Sequence, residues 1–286
     1  MTGTEPRPAL PPELYFITSA VSLYLGASIA VSLFDRMPPG AVALTRVLAA
    51  AVILLAWRRP WTRSWTSAQV GEAAAFGVAT ASMNLVFYLA ADRIDLGAGV
   101  AIEFIGPVAV AALGARTRRN AGALGLAVAG VLLMSTFATG AELTGIAFAL
   151  LAGTLWGAYI VLGRRVAVGG GGIDGLGLGM LFGALAIAPF GLGGFGPVTD
   201  NWWLVAAGAS VGLLSNVVPY SLDQLVMSWL PRERFALLLA LLPATATLMG
   251  VVLLDQVPST RDTLGIALIV AAIGLRERSG ETIQGA

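Results

Sequence analysis

The chain has 286 residues, of which 57% are hydrophobic and only 12% are charged, and its mean hydropathy is +0.83. A soluble domain carries about 25% charged residues, so this composition excludes an ordinary soluble protein and indicates a polytopic membrane protein. The net charge of +1 gives no basis for a nucleic-acid partner. Because Cys and His are absent, disulfides, thiolate or imidazole metal sites and Cys- or His-based catalysis are excluded, and no cofactor or metal is predicted.

Ten apolar stretches follow one another along the chain, and most approach the length of about 20 residues that crosses roughly 30 Å of hydrocarbon as a helix. The first is predicted to be a retained helix and not a signal peptide, because no basic region leading to a small-residue cleavage site accompanies it. The predicted spans cover residues 13–34, 40–57, 69–91, 96–115, 121–138, 143–163, 174–194, 202–222, 234–254 and 262–275.

The arginines predict how these spans are oriented. All 17 basic residues are arginines. With the N-terminus inside, the inner segments hold 13 of them and the outer loops hold only Arg36, Arg93 and Arg261, while Arg46 lies within a span. Because basic loops remain on the cytoplasmic side, both termini are predicted to be cytoplasmic.

Weak sequence matches relate the two halves of the chain. They are LGASI (25–29) with WGAYI (156–160), Asn84 with Asn216 and Tyr88 with Tyr220, both 132 residues apart, and Pro107 with Pro243. Five spans per half is an odd number, so the second copy inserts upside down, which is typical of secondary transporters. The predicted fold is therefore an all-α polytopic membrane protein with ten transmembrane helices, arranged as two inverted five-helix repeats at 1–138 and 143–278.

Glu103 lies six residues into the fourth predicted span, and an acidic side chain at a helix centre costs roughly 2.5–3.5 kcal/mol on insertion scales. Arg46, Asn84 and Tyr88 are predicted at a similar level, about 9 Å below the outer edge at 1.5 Å per residue. Two interpretations are open. Arg46 and Glu103 form a structural ion pair with Asn84 joining the helices, or Glu103 titrates or contacts cargo in a wet cavity. Both hold if the pair opens during a transport cycle.

Prolines are predicted to free backbone acceptors at three places, one of which, the Leu239 carbonyl freed by Pro243, has no acidic group beside it. Pro107 removes the N–H that would bond the carbonyl of Glu103, which predicts a bend with two acceptors from one residue. Pro219 frees the carbonyl of Ser215, beside Asn216, in the same way.

Three other features of the sequence are weaker evidence for function. Trp156, about thirteen residues into its span, is either a cavity wall or packing. Asp223 falls near the inner end of the eighth predicted span, so its carboxylate is predicted to reach the membrane interface by snorkelling. No phosphate-binding motif follows the glycines at 169–172, so ATP is not expected to drive the protein directly.

Six segments carry motifs of a known family: GASIAVSLF (26–34), ALTRVL (43–48), NLVFYLA to DLGAGVAIEFIGP (84–107), WGAYIV (156–161), VPYSLD (218–223) and LPRERFALLLALLP (230–243). On these segments the chain resembles the drug/metabolite transporter superfamily, specifically its ten-helix EamA type and the threonine/homoserine exporter subgroup. The resemblance implies a transporter and not an enzyme. It further implies proton-motive-force-driven export of small metabolites across the bacterial cytoplasmic (inner) membrane, with amino acids such as threonine and homoserine as the leading cargo.

The resemblance also implies a site. The Glu of the EFxGP motif is Glu103, and the arginine of the second span is Arg46. A zwitterionic amino acid needs donors for its carboxylate and acceptors for its ammonium group. The expected substrate-binding residues are Glu103, Arg46, Asn84, Tyr88, Trp156, Asn216 and Tyr220. Glu103 is also expected to exchange a proton for cargo, because a low-dielectric surrounding favours the protonated carboxyl group.

One departure from the family pattern leaves the cargo open. Relatives often have Glu-Pro in the ninth span, where this chain has Leu242 and Pro243. The alternative within transport is an aromatic amino-acid or hydrophobic-cation (drug) exporter. An intramembrane hydrolase and a non-transporting receptor or scaffold are the alternatives outside it. The expected partners are the cargo, protons and the lipid bilayer, with the chain acting as a monomer or a homodimer.

Overall fold

The computed structural model describes residues 10–94, 99, 102–113, 117–134, 142–242, 245 and 259–275. These residues form helices and their connections, and no β-strand occurs among them. The helices are α1 (Pro12–Leu33), α2 (Pro39–Arg58), α3 (Ser67–Ala91), α4 (Ile105–Ala112), α5 (Arg118–Met134), α6 (Leu143–Val168), α7 (Gly172–Gly191), α8 (Gly196–Asp200), α9 (Trp202–Gly212), α10 (Val218–Trp229), α11 (Arg232–Leu238) and α12 (Thr260–Leu275). A π-helical segment, Leu213–Val217, joins α9 to α10 without a break.

Five helical stretches are long and apolar enough to cross a membrane: Pro39–Thr62, Ser67–Ala91, Leu143–Val168, Gly172–Gly194 and Trp202–Trp229. They coincide with the second, third, sixth, seventh and eighth predicted spans, which supports the all-α polytopic membrane fold. The eighth runs to Trp229, seven residues further than predicted. The total of ten spans and the inverted repeat stay predictions, and Pro243 lies outside the described residues.

Local sequence signals set several helix ends. α2 begins at Pro39, where the missing N–H of proline costs no intrahelical hydrogen bond. α3 begins with a capping box, in which Thr66 Oγ1 accepts from the Gln69 N–H at 3.2 Å and Gln69 Oε1 accepts from the Thr66 N–H at 3.1 Å. Leu230 leaves the helical conformation before Pro231, which ends α10.

Helix α3 packs along both α6 and α7, and α2 packs along α7. Glycines permit the close approach of α3 and α7: a Cβ added to Gly179 would lie 2.7 Å from the Ala73 carbonyl oxygen, and one added to Gly183 would collide with the backbone of Gly77. Small residues at such crossings are typical of helix packing in membranes, where van der Waals contact replaces the hydrophobic effect. Elsewhere, α1 packs against α10 and the π-helical segment, α4 packs on α6 and α11, and α5 packs on α12.

Apolar and ionisable side chains are distributed as a bilayer requires. Large apolar side chains such as Val52, Leu185 and Phe190 are exposed on the outer surface of the bundle, where acyl chains would cover them. Exposed tryptophans lie at helix ends, among them Trp57 and Trp202, at the level that indole rings prefer. Three ionisable residues within or next to the apolar helices, Arg46, Glu103 and Asp223, are buried inside the bundle.

Candidate substrate-binding site

Arg46 is the centre of the largest buried polar cluster among the described residues. It lies on α2 and is 5% exposed. Its Nε donates to Asn216 Oδ1 at 2.7 Å, its Nη1 donates to the Tyr88 hydroxyl at 2.6 Å, and its Nη2 donates to the Ser215 carbonyl at 3.1 Å. The guanidinium carbon also lies 5.4 Å from the centroid of the Tyr88 ring. Every partner is electrically neutral, so the positive charge is held in place without being cancelled.

The Ser215 carbonyl is available to Arg46 because of Pro219. Proline has no N–H to return to the carbonyl four residues earlier, so Ser215 needs another donor, as the sequence predicts. The carbonyl lies in the π-helical segment Leu213–Val217, an element that is frequent at functional sites. Asn216, in the same segment, is fully buried. One irregularity of the backbone therefore supplies two of the three acceptors that hold the guanidinium.

Asn84 and Tyr220 form a second hydrogen-bonded pair. Asn84 Nδ2 donates to the Tyr220 hydroxyl at 3.2 Å and to the Thr80 carbonyl at 3.0 Å. Asn84 and Tyr88 are one turn apart on α3, while Asn216 and Tyr220 are one turn apart on the other side. The contacts are crosswise: Asn84 meets Tyr220 directly, and Tyr88 meets Asn216 through Arg46. The structure thus brings five of the seven predicted site residues together.

Glu103 and Trp156 lie at a different place, where α4 crosses α6. Glu103 is 8% exposed and therefore points into the bundle and not toward lipid. Its backbone carbonyl abuts Gly153, on which an added Cβ would lie 2.7 Å from that oxygen. Phe104 packs edge-on against Trp156 with 5.8 Å between ring centroids. Glu103 is helical, and regular helix resumes only at Ile105, two residues before Pro107, where the sequence predicts a bend.

The ion pair between Arg46 and Glu103, one of the two interpretations of the sequence, is not formed in this conformation. Within the described part of the chain, no ion pair or hydrogen bond involves the Glu103 carboxylate, and the Arg46 donors engage Tyr88, Asn216 and Ser215. Arg46 and Glu103 are buried at separate places and do not neutralise each other. Each side chain is therefore available to contact a bound molecule.

The prediction that Asp223 snorkels to the interface is wrong. Asp223 is 6% exposed, its Oδ2 accepts from the Tyr159 hydroxyl at 2.7 Å, and its Oδ1 accepts from Ser19 Oγ at 3.2 Å. The helix continues six residues beyond Asp223 to Trp229, about 9 Å at 1.5 Å per residue, which a short aspartate side chain cannot span. The continuing apolar run LVMSWL was the sequence signal that could have revealed this.

The polar groups form a column across the bundle. The Tyr159 ring lies 5.4 Å from the Tyr220 ring, so the pair formed by Asn84 and Tyr220 is next to the pair formed by Tyr159 and Asp223. Arg46 begins the column and Asp223 ends it. No cluster of three or more His, Cys, Asp or Glu side chains that could hold a metal occurs among the described residues. A buried polar column in an apolar helical bundle defines the class: it is typical of a membrane transport protein.

Comparisons with known proteins agree with this class. Residues 143–276 match the EamA-like transporter family. The chain is 32% identical over 264 residues to the threonine/homoserine exporter RhtA of Escherichia coli (strain K12), which covers 91% of this chain and 89% of that protein. It is 31% identical over 273 residues to the RhtA of Salmonella typhimurium (strain LT2), covering 94% and 92%. The chain therefore belongs to the EamA-like transporter family and is RhtA-like, a transporter and not an enzyme.

The fold is shared with a protein of known crystal structure that is only 18% identical in sequence. The two superpose with a TM-score of 0.70, covering 92% of this chain and 96% of that one. This similarity extends over both halves of the chain, beyond the region of the family match.

Proposed function

We propose that the protein is a secondary active exporter of small metabolites, with amino acids such as threonine and homoserine as its cargo, driven by the proton motive force. It works in the bacterial cytoplasmic membrane with both termini in the cytoplasm. The single observation that carries the proposal is the buried Arg46 cluster, in a chain 32% identical to a threonine/homoserine exporter over 91% of its length.

The Arg46 cluster suits the carboxylate of an amino acid. A carboxylate accepts two parallel hydrogen bonds from a guanidinium, and such charge-assisted bonds are stronger than the neutral ones that Arg46 makes now. Cargo would therefore displace Tyr88 and Asn216 as partners, leaving their side chains to line the site. The hydroxyl group of threonine or homoserine would find a matching donor and acceptor in Asn84 and Tyr220.

The ammonium group of the cargo is assigned to Glu103, one of the two buried carboxylates of the described residues. Glu103 has no countercharge in the described part of the chain, and Trp156 lies beside it at the crossing of α4 and α6. A cation beside a carboxylate and an indole gains from both contacts. Binding cargo and binding a proton then become alternatives at Glu103, because either one neutralises the buried carboxylate.

Alternating access between two inverted halves is supported by the crosswise contacts. The 132-residue offset relates Asn84 and Tyr88 to Asn216 and Tyr220. Asn84 is hydrogen-bonded to Tyr220, and Tyr88 is linked to Asn216 through Arg46. Contacts near the pseudo-symmetry axis of an inverted repeat are expected to pair in this way. Hydrogen bonds between side chains can be exchanged at small cost, so the halves are held together without being locked.

The cargo is tested by counterflow. Purified protein in proteoliposomes loaded with a mixed amino-acid pool is exposed to the same pool in isotopically labelled form outside, and the exchanged species are read by mass spectrometry. We expect threonine and homoserine to exchange at least tenfold faster than in protein-free vesicles. Exchange of neither would contradict the proposed cargo class.

The role of Glu103 is tested by the Glu103→Gln variant. It should insert in the membrane and lose export driven by a pH gradient, because glutamine cannot carry the exchanged proton. Glu142→Gln is the matched control, since Glu142 is exposed at the start of α6. Export by Glu103→Gln at the wild-type rate would remove Glu103 from the mechanism.

A second candidate, export of aromatic amino acids or hydrophobic cations, is favoured by one observation. At position 242, where relatives often carry a glutamate, the chain has Leu242, and the Tyr24 hydroxyl donates to its carbonyl at 2.8 Å. An apolar side chain therefore replaces the expected carboxylate at position 242, and an aromatic residue lies beside the backbone there. A growth-rescue panel with toxic levels of threonine, homoserine, phenylalanine and cationic dyes separates the two candidates.

A further inference from the structure

Asp223 is a buried carboxylate that the proposed cargo site does not use. Both of its oxygens accept hydrogen bonds, one from the Tyr159 hydroxyl and one from Ser19 Oγ. Hydroxyl groups are neutral donors, so they orient a carboxylate without cancelling its charge. A charged side chain in the interior of a membrane bundle needs a countercharge or a proton.

No described residue supplies that countercharge. On α6, Tyr159 bonds Asp223 as a neutral donor, and Arg164 donates to the Met227 carbonyl, one turn further along α10. On α7, Asp174 forms an ion pair with Arg58. On α11, Arg232 forms an ion pair with Glu233. Arg234 on α11 is half-buried and forms no ion pair among the described residues. The described part of α1 places only Ser19 in contact with the carboxylate, and Tyr220, one turn away on α10, bonds Asn84.

The geometry around Ser19 accommodates Asp223 in both protonation states. Ser19 Oγ lies 3.2 Å from Asp223 Oδ1 and 3.4 Å from the Pro219 carbonyl oxygen. When Asp223 is ionised, the serine hydroxyl donates to it. When Asp223 is protonated, its own O–H donates to Ser19 Oγ, and the serine hydrogen rotates to the Pro219 carbonyl. Tyr159 donates to Oδ2 in either state, so Asp223 keeps two hydrogen bonds throughout, and only the bond from Ser19 to the Pro219 carbonyl is given up when the proton leaves.

Two more polar atoms on α10 are buried without a hydrogen-bond partner in the described part of the chain, Ser221 Oγ and Gln224 Oε1. Buried polar atoms are normally satisfied by protein or by water. These two atoms, on the same helix as Asp223, are therefore available to bind water when the inner side of the bundle opens in the proposed cycle. Water is what a carboxyl group needs to exchange its proton.

We propose that Asp223, held by Tyr159 and Ser19, is a second proton-binding site of the transporter, on the predicted cytoplasmic half of the polar column. The O–H bond of its carboxyl group breaks when the inner side opens and the proton passes to cytoplasmic water, and it re-forms when a proton arrives along the column. This inference rests on the proposed function, because it adds a coupling residue to the same export cycle. The site takes a proton and not a metal cation, since one carboxylate and two hydroxyls fall short of the six or more oxygens that hard cations prefer.

The test compares Asp223→Asn with wild-type protein in proteoliposomes. Uptake of labelled threonine driven by a pH gradient is divided by threonine exchange without a gradient, and we expect this ratio to fall at least tenfold. Asp174→Asn is the matched control, because it makes the same change in an ion pair in the first turn of α7. This variant should keep the wild-type ratio. Replacing Na⁺ by choline should leave the wild-type ratio unchanged, and a requirement for Na⁺ would overturn the proposal.

A second measurement does not depend on the cargo. Infrared difference spectra of the reconstituted protein, recorded across a pH titration, should contain a protonated-carboxyl band that is missing in Asp223→Asn. If wild-type protein moves no amino acid, the proposed function fails while this band still reports on Asp223. A ratio equal to wild type, or spectra identical in the two proteins, would overturn the proposal.

Two further variants keep the test decisive if the Asp223→Asn substitution impairs folding. Asp223→Glu retains a proton carrier and should keep gradient-driven uptake with a displaced pH profile. Ser19→Ala removes the rotating hydroxyl, and should displace the pH profile while threonine exchange at saturating cargo continues. A wild-type pH profile in both variants would contradict the assigned role.

Discussion

Replacing Arg46 by methionine and by lysine should separate the energetic role of this residue from its role in transport. Methionine removes the charge and all three hydrogen bonds to Tyr88, Asn216 and Ser215. Lysine keeps the charge, but its single nitrogen cannot reach acceptors on α3 and on the π-helical segment together, because it lacks the planar fork of arginine. We expect both variants to lose transport and only the lysine variant to be strongly destabilised.

The magnitudes follow from the contacts. Intramembrane hydrogen bonds are worth about 0.6 kcal/mol on average and about 1.7 kcal/mol at most, so the three bonds contribute about 2 to 5 kcal/mol. Keeping a charge at this depth costs roughly 2.5–3.5 kcal/mol relative to water. For Arg46→Met the two terms oppose each other, and the free energy of unfolding should change by no more than about 2.5 kcal/mol in either direction. Arg46→Lys loses most of the bonds and retains the cost.

Thermal unfolding in detergent ranks the stability of the two variants, and threonine counterflow in proteoliposomes measures their transport. We expect a loss of counterflow of at least 100-fold in both, which corresponds to about 2.7 kcal/mol at 1.36 kcal/mol per tenfold change. If Arg46→Met were less stable than Arg46→Lys, the charge itself would have an anionic partner and the reasoning would fail. Counterflow above half of the wild-type rate in Arg46→Met would show that Arg46 does not hold the cargo.

Two other predictions concern packing and the central contacts. Gly153→Ala places a Cβ 2.7 Å from the Glu103 carbonyl oxygen and should destabilise the protein by about 1–3 kcal/mol. Gly125→Ala, with no atom within 4 Å, should be neutral or stabilising by up to about 1 kcal/mol, and equal melting temperatures of the two variants would refute the close crossing of α4 and α6. A double-mutant cycle of Asn84→Leu and Tyr220→Phe should give a coupling free energy of about 0.6 kcal/mol, at most about 1.7 kcal/mol, measured by unfolding; a coupling of zero would show that the pair does not form.

The sequence was most informative where the bilayer imposes a strict rule. Helix length and apolarity are fixed by the thickness of the membrane, so the five confirmed stretches fall on predicted spans. The freed carbonyl of Ser215 was also predictable, because the missing N–H of Pro219 is a covalent fact. Its use by Arg46 was not, since the sequence does not say which helix lies opposite the π-helical segment.

The wrong prediction for Asp223 and the undecided pairing of Arg46 with Glu103 have different causes. Depth along a helix can be read from the chain, but rotation about the helix axis and the choice of neighbours cannot. Arg46 and Glu103 are predicted at one level, but the Arg46 guanidinium bonds Tyr88, Asn216 and Ser215 and not the Glu103 carboxylate. The prediction for Asp223 is wrong because the predicted end of its helix, residue 222, lies seven residues before the observed end at Trp229, and the carboxylate is buried instead of lying at the edge of the membrane.

The crosswise contacts at the centre of the bundle have an energetic consequence. Under the predicted inverted repeat, the offset of 132 residues would place Leu178 opposite Arg46 in the second half, so the guanidinium would have no counterpart there. If the two halves of a transporter were identical, its inward-open and outward-open conformations would be equally stable. In the proposed alternating-access cycle we therefore expect the empty transporter to favour one conformation, because Arg46 has three acceptors in the conformation described here and needs others in the second.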